Sequence, residues 1–187
     1  LVLEAIQKYD IPEGKKFVVN VFHSTPSAPG LKEQFTRQNI DFIRTGPILG
    51  YDLPLKVSTI PLNVHKAKTL QQTEAANNSL TAEGERIHFQ TLRDKHIHNF
   101  FVKEGGLAVG WIQLVTVHPG VGYINQLYVL EEYRKRKFGT TLVNAAHSEA
   151  IQFGIKKMVA LPSDISLHLF RRMGYRPLLY ISAFRPK

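Results

Sequence analysis

The residues best suited to chemistry are four consecutive cations, Arg134 to Lys137, which lie between two recognisable elements. Before them, Tyr123 to Val129 is β-branched and aromatic, which favours a strand, and after them Phe138-Gly139 opens an amphipathic stretch typical of a helix. A strand, a basic turn and a helix N-terminus form an anion site, because backbone N–H groups and the positive end of the helix dipole point at one place. The spacing therefore predicts a phosphate-bearing ligand, although a short basic run is also typical of a solvated turn, a targeting signal or a nucleic-acid patch.

The elements that must position this loop can be followed along the second half of the chain. Phe100 to Ile112 predicts two strands joined by a glycine-containing hairpin loop. Downstream, Lys157 to Leu161 predicts a short buried strand, and Ile165 to Arg172 predicts a helix with Ser163 or Asp164 as its N-cap. Gly174 suits the left-handed position after that helix, and Pro177 to Phe184 predicts a last strand.

This order resembles the GNAT-type acyl-CoA N-acyltransferases, whose signature is a strand, (Gln/Arg)-x-x-Gly-x-(Gly/Ala), and a helix. Arg134 fills the first motif position and Gly139 the last, whereas Lys137 stands where the inner glycine usually lies. A lysine keeps the backbone N–H and adds charge, but it tolerates a positive φ poorly. The hairpin from Phe100 is also similar to the one that precedes the family's cofactor strand. The resemblance implies a mixed α/β fold of the GNAT type.

The resemblance further implies acetyl-CoA as co-substrate and no metal. In that family the loop's backbone N–H groups bind the pyrophosphate, and the pantetheine arm pairs with the preceding strand like an added strand. Carried over by position, the predicted cofactor site consists of Leu127, Tyr128, Val129, Arg134, Lys135, Arg136, Lys137, Phe138, Gly139, Thr140, Ser163, Ser166 and Phe170.

The implied reaction is direct attack of an amine on the thioester, with a backbone N–H of Val129 or Leu130 facing the developing oxyanion. The amine must lose a proton, but Gly122 to Gln126 contains no carboxylate, so Asn125 and Gln126 are predicted to order a water instead. Phe170 occupies the place of the family's tyrosine acid and cannot donate a proton. His168, two residues earlier, belongs to a different face of the helix. These departures leave open a non-catalytic acyl-CoA-binding sensor or interaction module.

Composition restricts the remaining classes. The chain has 187 residues, a formal net charge of +9 and no cysteine, which excludes disulfides and thiolate metal sites. His96 and His98 have metal-like spacing on a strand but lack an evident third ligand. No membrane span or signal peptide is visible, so we expect a cytoplasmic protein. The expected partner is a small-molecule or peptide amine, with nucleic acid less favoured; the resemblance also allows a dimer.

The first third of the chain suggests a partial repeat. When the first segment is aligned with the last one, Leu1 matches Leu142 and Lys15 matches Lys156, and the predicted order helix, strand, helix, strand recurs. Residues 1–54 are therefore predicted to be the tail of a degenerate GNAT-like copy, and residues 55–187 the acyl-CoA-binding catalytic domain; chance similarity between two αβαβ segments is the alternative. Within residues 55–99, Leu55 to Pro61 predicts a strand, and Leu62 to Ala76 predicts a helix that Asn77-Asn78-Ser79 ends.

Overall fold

The computed structural model describes residues 18–26, 30–54, 63–80 and 86–186. The strands are β1 Val19–His23, β2 Ile40–Asp52, β3 Val64–Lys66, β4 Ile97–Glu104, β5 Leu107–His118, β6 Val121–Val129, β7 Lys157–Ala160 and β8 Arg176–Pro186. The helices are α1 Leu31–Thr36, α2 Leu70–Leu80, α3 Phe138–Gln152 and α4 Asp164–Arg172, with 3₁₀ turns at Phe89–Arg93 and Glu131–Tyr133. The predicted mixed α/β class is confirmed. None of the helices in these ranges is both long and apolar enough to cross a membrane.

The larger of two compact units comprises residues 48–178 and carries the site. Its strands lie in the order β2-β7-β6-β5-β4-β3, with β6 and β7 parallel and the other neighbours antiparallel. Helix α3 packs on β4, β5 and β6, and α2 packs on β5. The core contains Phe100, Trp111, Leu142, Val143 and Met158, each at most 2% exposed. Burying such side chains contributes about 1.5–3 kcal/mol each.

The two faces of this sheet carry different elements. His98 packs its ring against Phe153 at the end of α3, whereas the neighbouring Asn99 bonds to Thr91 in the first 3₁₀ turn. Because successive side chains on a strand point to opposite faces, α3 and the 3₁₀ turn lie on opposite faces of the sheet.

The smaller unit comprises, among the described residues, 18–26, 30–47 and 179–186. Its strands lie in the order β1-β8-β2, and β1 pairs antiparallel with β8 from Val19↔Phe184 to His23↔Tyr180. A small cluster of Phe35, Ile40 and Phe184 is buried here, and the Phe35 and Phe184 rings stack with centroids 4.2 Å apart. Helix α1 therefore packs on β8 through the ring of Phe35.

Most predicted elements downstream of residue 96 are confirmed. These are the hairpin, the strand before the basic loop, the helix after it, the short buried strand, the helix capped by Ser163 and the final strand. Gly174 has a φ of +91°, as predicted for a residue that ends a helix in the left-handed region.

The prediction of a helix from Leu62 to Ala76 is wrong in both bounds. Val64–Lys66 instead forms β3, paired with β4, and α2 runs from Leu70 through Asn77 to Leu80. Asparagine usually ends helices because its side chain competes for the local backbone. Here the side chain of Asn77 donates to the carbonyl of Ile87 and accepts from its N–H, at 3.0 and 2.9 Å. The amide is thereby satisfied outside the helix, and the helix continues.

Two other predictions concern segments that lie outside the described residues: the helix and strand before residue 18, and the strand from Leu55 to Pro61. The division into a repeat at 1–54 and a catalytic domain at 55–187 stays a prediction.

Candidate active site

The site is built around a β-bulge in β6. Gln113 of β5 pairs with Gln126, but its neighbour Leu114 pairs with Ile124, so Asn125 is an extra residue on β6. A bulge bends its strand and re-aims side chains, and such bulges are common beside active sites. In this structure Gln113, Asn125 and Gln126 all line one cavity. The bulge thus brings together the two amides that the sequence predicted to order a water.

Beyond the bulge, β6 has one open edge. The parallel pairing with β7 runs from Val121↔Lys157 to Ile124↔Ala160, where β7 ends, while β6 continues to Val129. Within the described ranges, no strand pairs with this edge from Asn125 to Val129. In these ranges the edge of β6 beyond Ile124 is therefore not covered by a neighbouring strand and is open to an extended ligand.

The direction of the backbone groups on this edge follows from one hydrogen bond. The N–H of Leu130 donates to the carbonyl of Val109 at 2.9 Å, toward β5. Because N–H groups alternate in direction along an antiparallel strand, those of Leu127 and Val129 point away from β5, to the open edge. Leu130, one of the two predicted oxyanion donors, is therefore already paired. The N–H of Val129 points to the open edge, and its role as oxyanion donor stays a prediction.

The basic loop has a defined conformation. Arg134 turns back and donates through Nε to the carbonyl of Val129 at 3.1 Å. Arg136 donates through a terminal nitrogen to Glu104 Oε1 at 2.6 Å, with its guanidinium 5.4 Å from the ring centroids of both Tyr133 and Phe138. Both predicted phosphate-binding arginines thus have contacts that hold the loop itself together. Lys135 and Lys137 are exposed on either side of Arg136.

Lys137 adopts the conformation that its motif position usually reserves for glycine. It is the N-cap of α3, with φ +68° and ψ 0°, and its side chain makes no capping bond. The first-turn N–H groups of α3 therefore lack a side-chain cap, which suits an anion at this terminus. Gly139, the last motif glycine, has a different role: a Cβ there would lie 3.0 Å from Leu169 Cδ2, so the glycine allows α3 and α4 to pack closely.

Replacing Lys137 with glycine should raise the free energy of unfolding by about 0.5–1 kcal/mol, because a left-handed φ is strained for a residue with a Cβ. The measurement is urea unfolding at equilibrium. The matched control is Lys156→Gly, an exposed lysine outside the positive-φ group, where the added chain freedom should lower stability by about 0.5–1 kcal/mol. Equal losses at both positions would contradict the assignment of strain to Lys137.

The predicted cofactor residues on α4 have local roles in the structure. Ser163 and Ser166 form a capping box, in which Ser166 N–H donates to Ser163 Oγ at 3.4 Å and Ser163 N–H to Ser166 Oγ at 3.0 Å. Phe170 is 2% exposed and packs edge-to-face on Tyr175, with centroids 4.9 Å apart. His168 is exposed, on a different face from Phe170. A contribution of these residues to cofactor binding stays a prediction.

A cavity of about 300 Å³ lies beside the bulge. Its walls combine the stretch after α2 with β5 and β6, and its lining residues are Arg86, His88, Thr91, Trp111, Gln113, Asn125 and Gln126. Sequence reasoning missed Arg86, His88, Thr91, Trp111 and Gln113 as site residues. One sequence signal could have indicated Gln113: it is the one polar residue in the apolar run from Leu107 to Val115. In the structure it is only 5% exposed.

A chain of hydrogen bonds crosses the wall of this cavity with a fixed direction. It runs from Asn125 Nδ2 to Gln113 Oε1 (2.7 Å), from Gln113 Nε2 to Asn99 Oδ1 (2.9 Å), from Asn99 Nδ2 to Thr91 Oγ1 (2.8 Å), and from Thr91 Oγ1 to the carbonyl of His88 (2.6 Å). A carbonyl can only accept, so the Thr91 hydroxyl must donate to it, and each amide before it is oriented in turn. Asn125 therefore uses its NH₂ group in the chain and keeps Oδ1 as an acceptor.

Of the two histidines with metal-like spacing, His98 belongs to an ion-pair cluster on the face of the sheet that α3 covers, whereas Nδ1 of His96 lies 3.3 Å from the carbonyl oxygen of Thr116. Lys66 forms an ion pair with Glu149 of α3, and His98 Nδ1 lies 3.6 Å from the same carboxylate. Burial, and then the charge of Lys66, lowers the pKa of His98, while Glu149 opposes the shift. No group of three or more His, Cys, Asp or Glu side chains in the described ranges could hold a metal ion.

The part of the chain that carries this geometry matches a known protein family. The family model described as the acetyltransferase (GNAT) family matches residues 65–175, which is more than half of the chain. The chain belongs to the GNAT acetyltransferase family. The matched range includes the hairpin, the bulged strand, the basic loop and α4, so the predicted resemblance and its GNAT-like fold are confirmed.

Individual GNAT relatives are distant. An uncharacterised N-acetyltransferase of Chlorobaculum tepidum is 29% identical over 85 residues, which are 45% of this chain and 54% of that protein. The chain thus spans about half the length of this curated relative. A GCN5-related N-acetyltransferase from Kribbella flavida has the same fold, with a TM-score of 0.72 and 19% identity over 98% of this chain and 73% of that one. The aminoglycoside N-acetyltransferase AAC(6')-Iy, solved in complex with CoA, aligns over 60% of this chain and 90% of its own, with a TM-score of 0.50 and 19% identity.

Proposed function

We propose that this protein transfers an acetyl group from acetyl-CoA to an amine. The observation that carries the proposal is the open edge of β6, which lies between the end of β7 and the basic loop at the N-terminus of α3. A ligand with an amide-containing arm and a pyrophosphate matches that edge and that loop. The CoA complex of AAC(6')-Iy, a distant relative of the same fold, supports this choice of ligand. A small-molecule or peptide acceptor and a cytoplasmic location are parts of the same proposal.

The residues present fit coenzyme A. The backbone groups of Leu127 and the N–H of Val129 are available to pair with the pantetheine arm, and the first-turn N–H groups of α3 have no side-chain cap. Lys135 and Lys137 supply positive charge beside that terminus. When bound, acetyl-CoA would supply the thioester whose C–S bond breaks as the amine nitrogen forms the new C–N bond.

The chain's own residues would position the acceptor and disperse charge. The N–H of Val129 would face the developing oxyanion, as an oriented backbone donor does without reorganisation. Asn125, whose amide direction is fixed through Gln113, would accept a hydrogen bond from the amine or from a water that takes its proton. Phe170 cannot protonate the leaving thiolate, so the thiolate would leave unprotonated. Loss of an acid lowers a rate without excluding the reaction.

The second candidate is a non-catalytic module that binds acetyl-CoA as a sensor. One observation favours it: none of the described residues that line the cavity is acidic, so a carboxylate base is lacking among them. A thiol-release assay distinguishes the two functions. An acetyltransferase releases the free thiol of CoA when a suitable amine is added, whereas a sensor binds acetyl-CoA and releases no thiol with any amine.

The binding site is tested by charge reversal at the loop. The double variant Lys135→Glu, Lys137→Glu should weaken acetyl-CoA binding about 10- to 100-fold in calorimetric titration, because two charge-assisted contacts become repulsions. We chose these lysines because Arg134 and Arg136 bond to Val129 and Glu104, so reversing the arginines would damage the loop itself.

The matched control is Arg171→Glu, Arg172→Glu, two exposed cations at the last turn of α4. It changes the net charge equally, and the affinity for acetyl-CoA should stay within about twofold at 0.15 M salt, where distant exposed charges are screened. Equal weakening by both double variants would show that the loop is not the pyrophosphate site.

A further inference from the structure

The cavity beside the bulge has a charge pattern that indicates its acceptor. We propose that the amine acetylated at this site carries an anionic carboxylate, in the simplest case an amino acid, which Arg86 binds. This inference rests on the proposed acetyl transfer and adds the substrate class. It is carried by the cavity's charges, by one buried donor without a partner, and by the fixed direction of the amide chain.

The charges of the cavity are one-sided. Its lining contains the guanidinium of Arg86 and the imidazole of His88, and none of its described residues is acidic. Three carboxylates of the same unit have partners outside the cavity lining: Glu149 pairs with Lys66, Glu104 pairs with Arg136, and Asp94 Oδ1 accepts from the N–H of His96. A polycationic acceptor would place like charges beside Arg86, whereas a carboxylate would match the planar guanidinium with two parallel hydrogen bonds.

Trp111 gives an independent indication of an acceptor atom. This residue is only 2% exposed, yet it also lines the cavity. Its indole Nε1–H is buried and has no hydrogen-bond acceptor among the described residues. An unpaired buried donor is costly, so such groups usually mark a ligand or water. A carboxylate oxygen in the cavity would accept from it.

The amide chain provides the complementary group. Asn125 keeps its Oδ1 as an acceptor, because its NH₂ group donates to Gln113. The cavity therefore offers Oδ1 of Asn125 as an acceptor for the amine's N–H and the guanidinium of Arg86 for oxygens, and the unpaired indole N–H belongs to a residue of its wall. A zwitterionic or anionic amine satisfies both sets, while a simple cationic amine leaves the indole donor and Arg86 unpaired.

The test uses matched amines that differ only in the carboxylate: glycine against glycinamide, and β-alanine against β-alaninamide, with spermidine as a polycation. Acetyl transfer is followed as thiol release by the full chain with saturating acetyl-CoA. The acids should have kcat/KM values at least about tenfold above their amides, which is a demanding comparison because the amides have less basic amines.

Arg86→Ala should lower kcat/KM for the acids about tenfold or more and leave the amides within about twofold, and Arg86→Glu should reverse the preference. The control is Arg93→Ala, an exposed cation of the 3₁₀ turn that does not line this cavity, which should change neither. Trp111→Phe should raise KM for the acids with the fold intact, since it keeps a buried six-membered aromatic ring and removes the unpaired N–H.

Two outcomes would overturn the inference and leave acetyl transfer standing: amides or spermidine acetylated as well as the acids, or an acid preference that Arg86→Ala does not change. If acetyl-CoA binds but no amine is acetylated, the catalytic proposal fails by itself. Calorimetric titration of the same amines into the CoA-loaded protein then decides the inference. Tighter binding of acids that depends on Arg86 supports it, and its absence overturns it.

Discussion

Replacing Gly110 with alanine should destabilise the protein by about 2–3 kcal/mol, because the new methyl group has no space and its nearest neighbour is backbone. A Cβ at Gly110 would lie 2.7 Å from the carbonyl oxygen of Tyr128 and 3.2 Å from the Cα of Val129. Gly110 pairs directly with Val129 across β5 and β6, so relief of this clash requires displacing the end of β6. The melting temperature should fall by roughly 4–12 °C for a chain of this size.

The control for this prediction is Gly46→Ala in β2. Gly46 is also a strand glycine, but a Cβ there has no heavy atom within 4 Å and its φ is not positive. Its replacement should be neutral or stabilising by a few tenths of a kcal/mol, because glycine is entropically costly in a strand. Loss of stability at both positions would mean that the close approach of Gly110 to β6 is not what requires glycine. Because Val129 is the proposed oxyanion donor, Gly110→Ala should also slow acetyl transfer.

The second large effect is a loss of stability in acid that comes from His147. This residue is 8% exposed, stacks on Tyr51 with centroids 5.1 Å apart, and bonds through Nε2 to the hydroxyl of Tyr175 at 2.7 Å. Burial lowers the pKa of His147 from 6.5 to about 4. Burial, and then the neighbouring Tyr51, raises the pKa of Tyr175, so that its phenol stays protonated.

The protein loses stability in acid because the folded and unfolded chains bind a proton at His147 with different pKa values. Above pH 6.5 the histidine is neutral in the folded and the unfolded chain, so it has no effect on their difference. Between pH 6.5 and 4 the unfolded chain binds a proton that the folded chain excludes, so stability falls as the pH falls. The total loss by pH 4 is about 3 kcal/mol, from 1.36 kcal/mol for each pKa unit.

His147→Gln isolates this contribution, because glutamine can bond to Tyr175 and does not titrate. Urea unfolding at pH 7, 6, 5 and 4 should show the parent losing about 3 kcal/mol more than the variant across this range. Other groups titrate equally in both proteins, including His98, whose lowered pKa acts in the same direction. Parallel stability curves for the two proteins would show that His147 is protonated as easily in the folded state as in the unfolded state.

Elements that depend on neighbouring residues could be predicted from the amino-acid sequence alone. The basic loop between a strand and a helix, the glycine hairpin, the Ser163 cap and the left-handed Gly174 depend on neighbouring residues and on backbone preferences, so their positions could be predicted. The same local order was enough to indicate the GNAT family. Even the strain at Lys137 could be anticipated, because its motif position usually holds glycine.

The side-chain contacts of these elements could be identified only in the tertiary structure. Asn77 bonds to Ile87 ten residues later, and this long-range partner overrides its local tendency to end a helix. Arg134 and Arg136 look equivalent to their lysine neighbours in sequence, yet they bond to Val129 and Glu104. Hydrogen-bond partners that come from distant parts of the chain cannot be predicted from a run of four consecutive cations.

The acceptor cavity is the clearest case of this division. The cavity is lined by residues from three separate parts of the chain. Arg86 lies in a stretch without clear hydrophobic periodicity, Trp111 in the core strand β5, and Asn125 in the bulge of β6. They line one cavity only because β5 and β6 pair in this register. A one-residue change in register moves every side chain of a strand to the other face. The sequence therefore indicated an acyl-CoA site after β6, whereas the residues that line the cavity beside the bulge follow from the tertiary structure, because strand register is fixed by packing across the whole sheet.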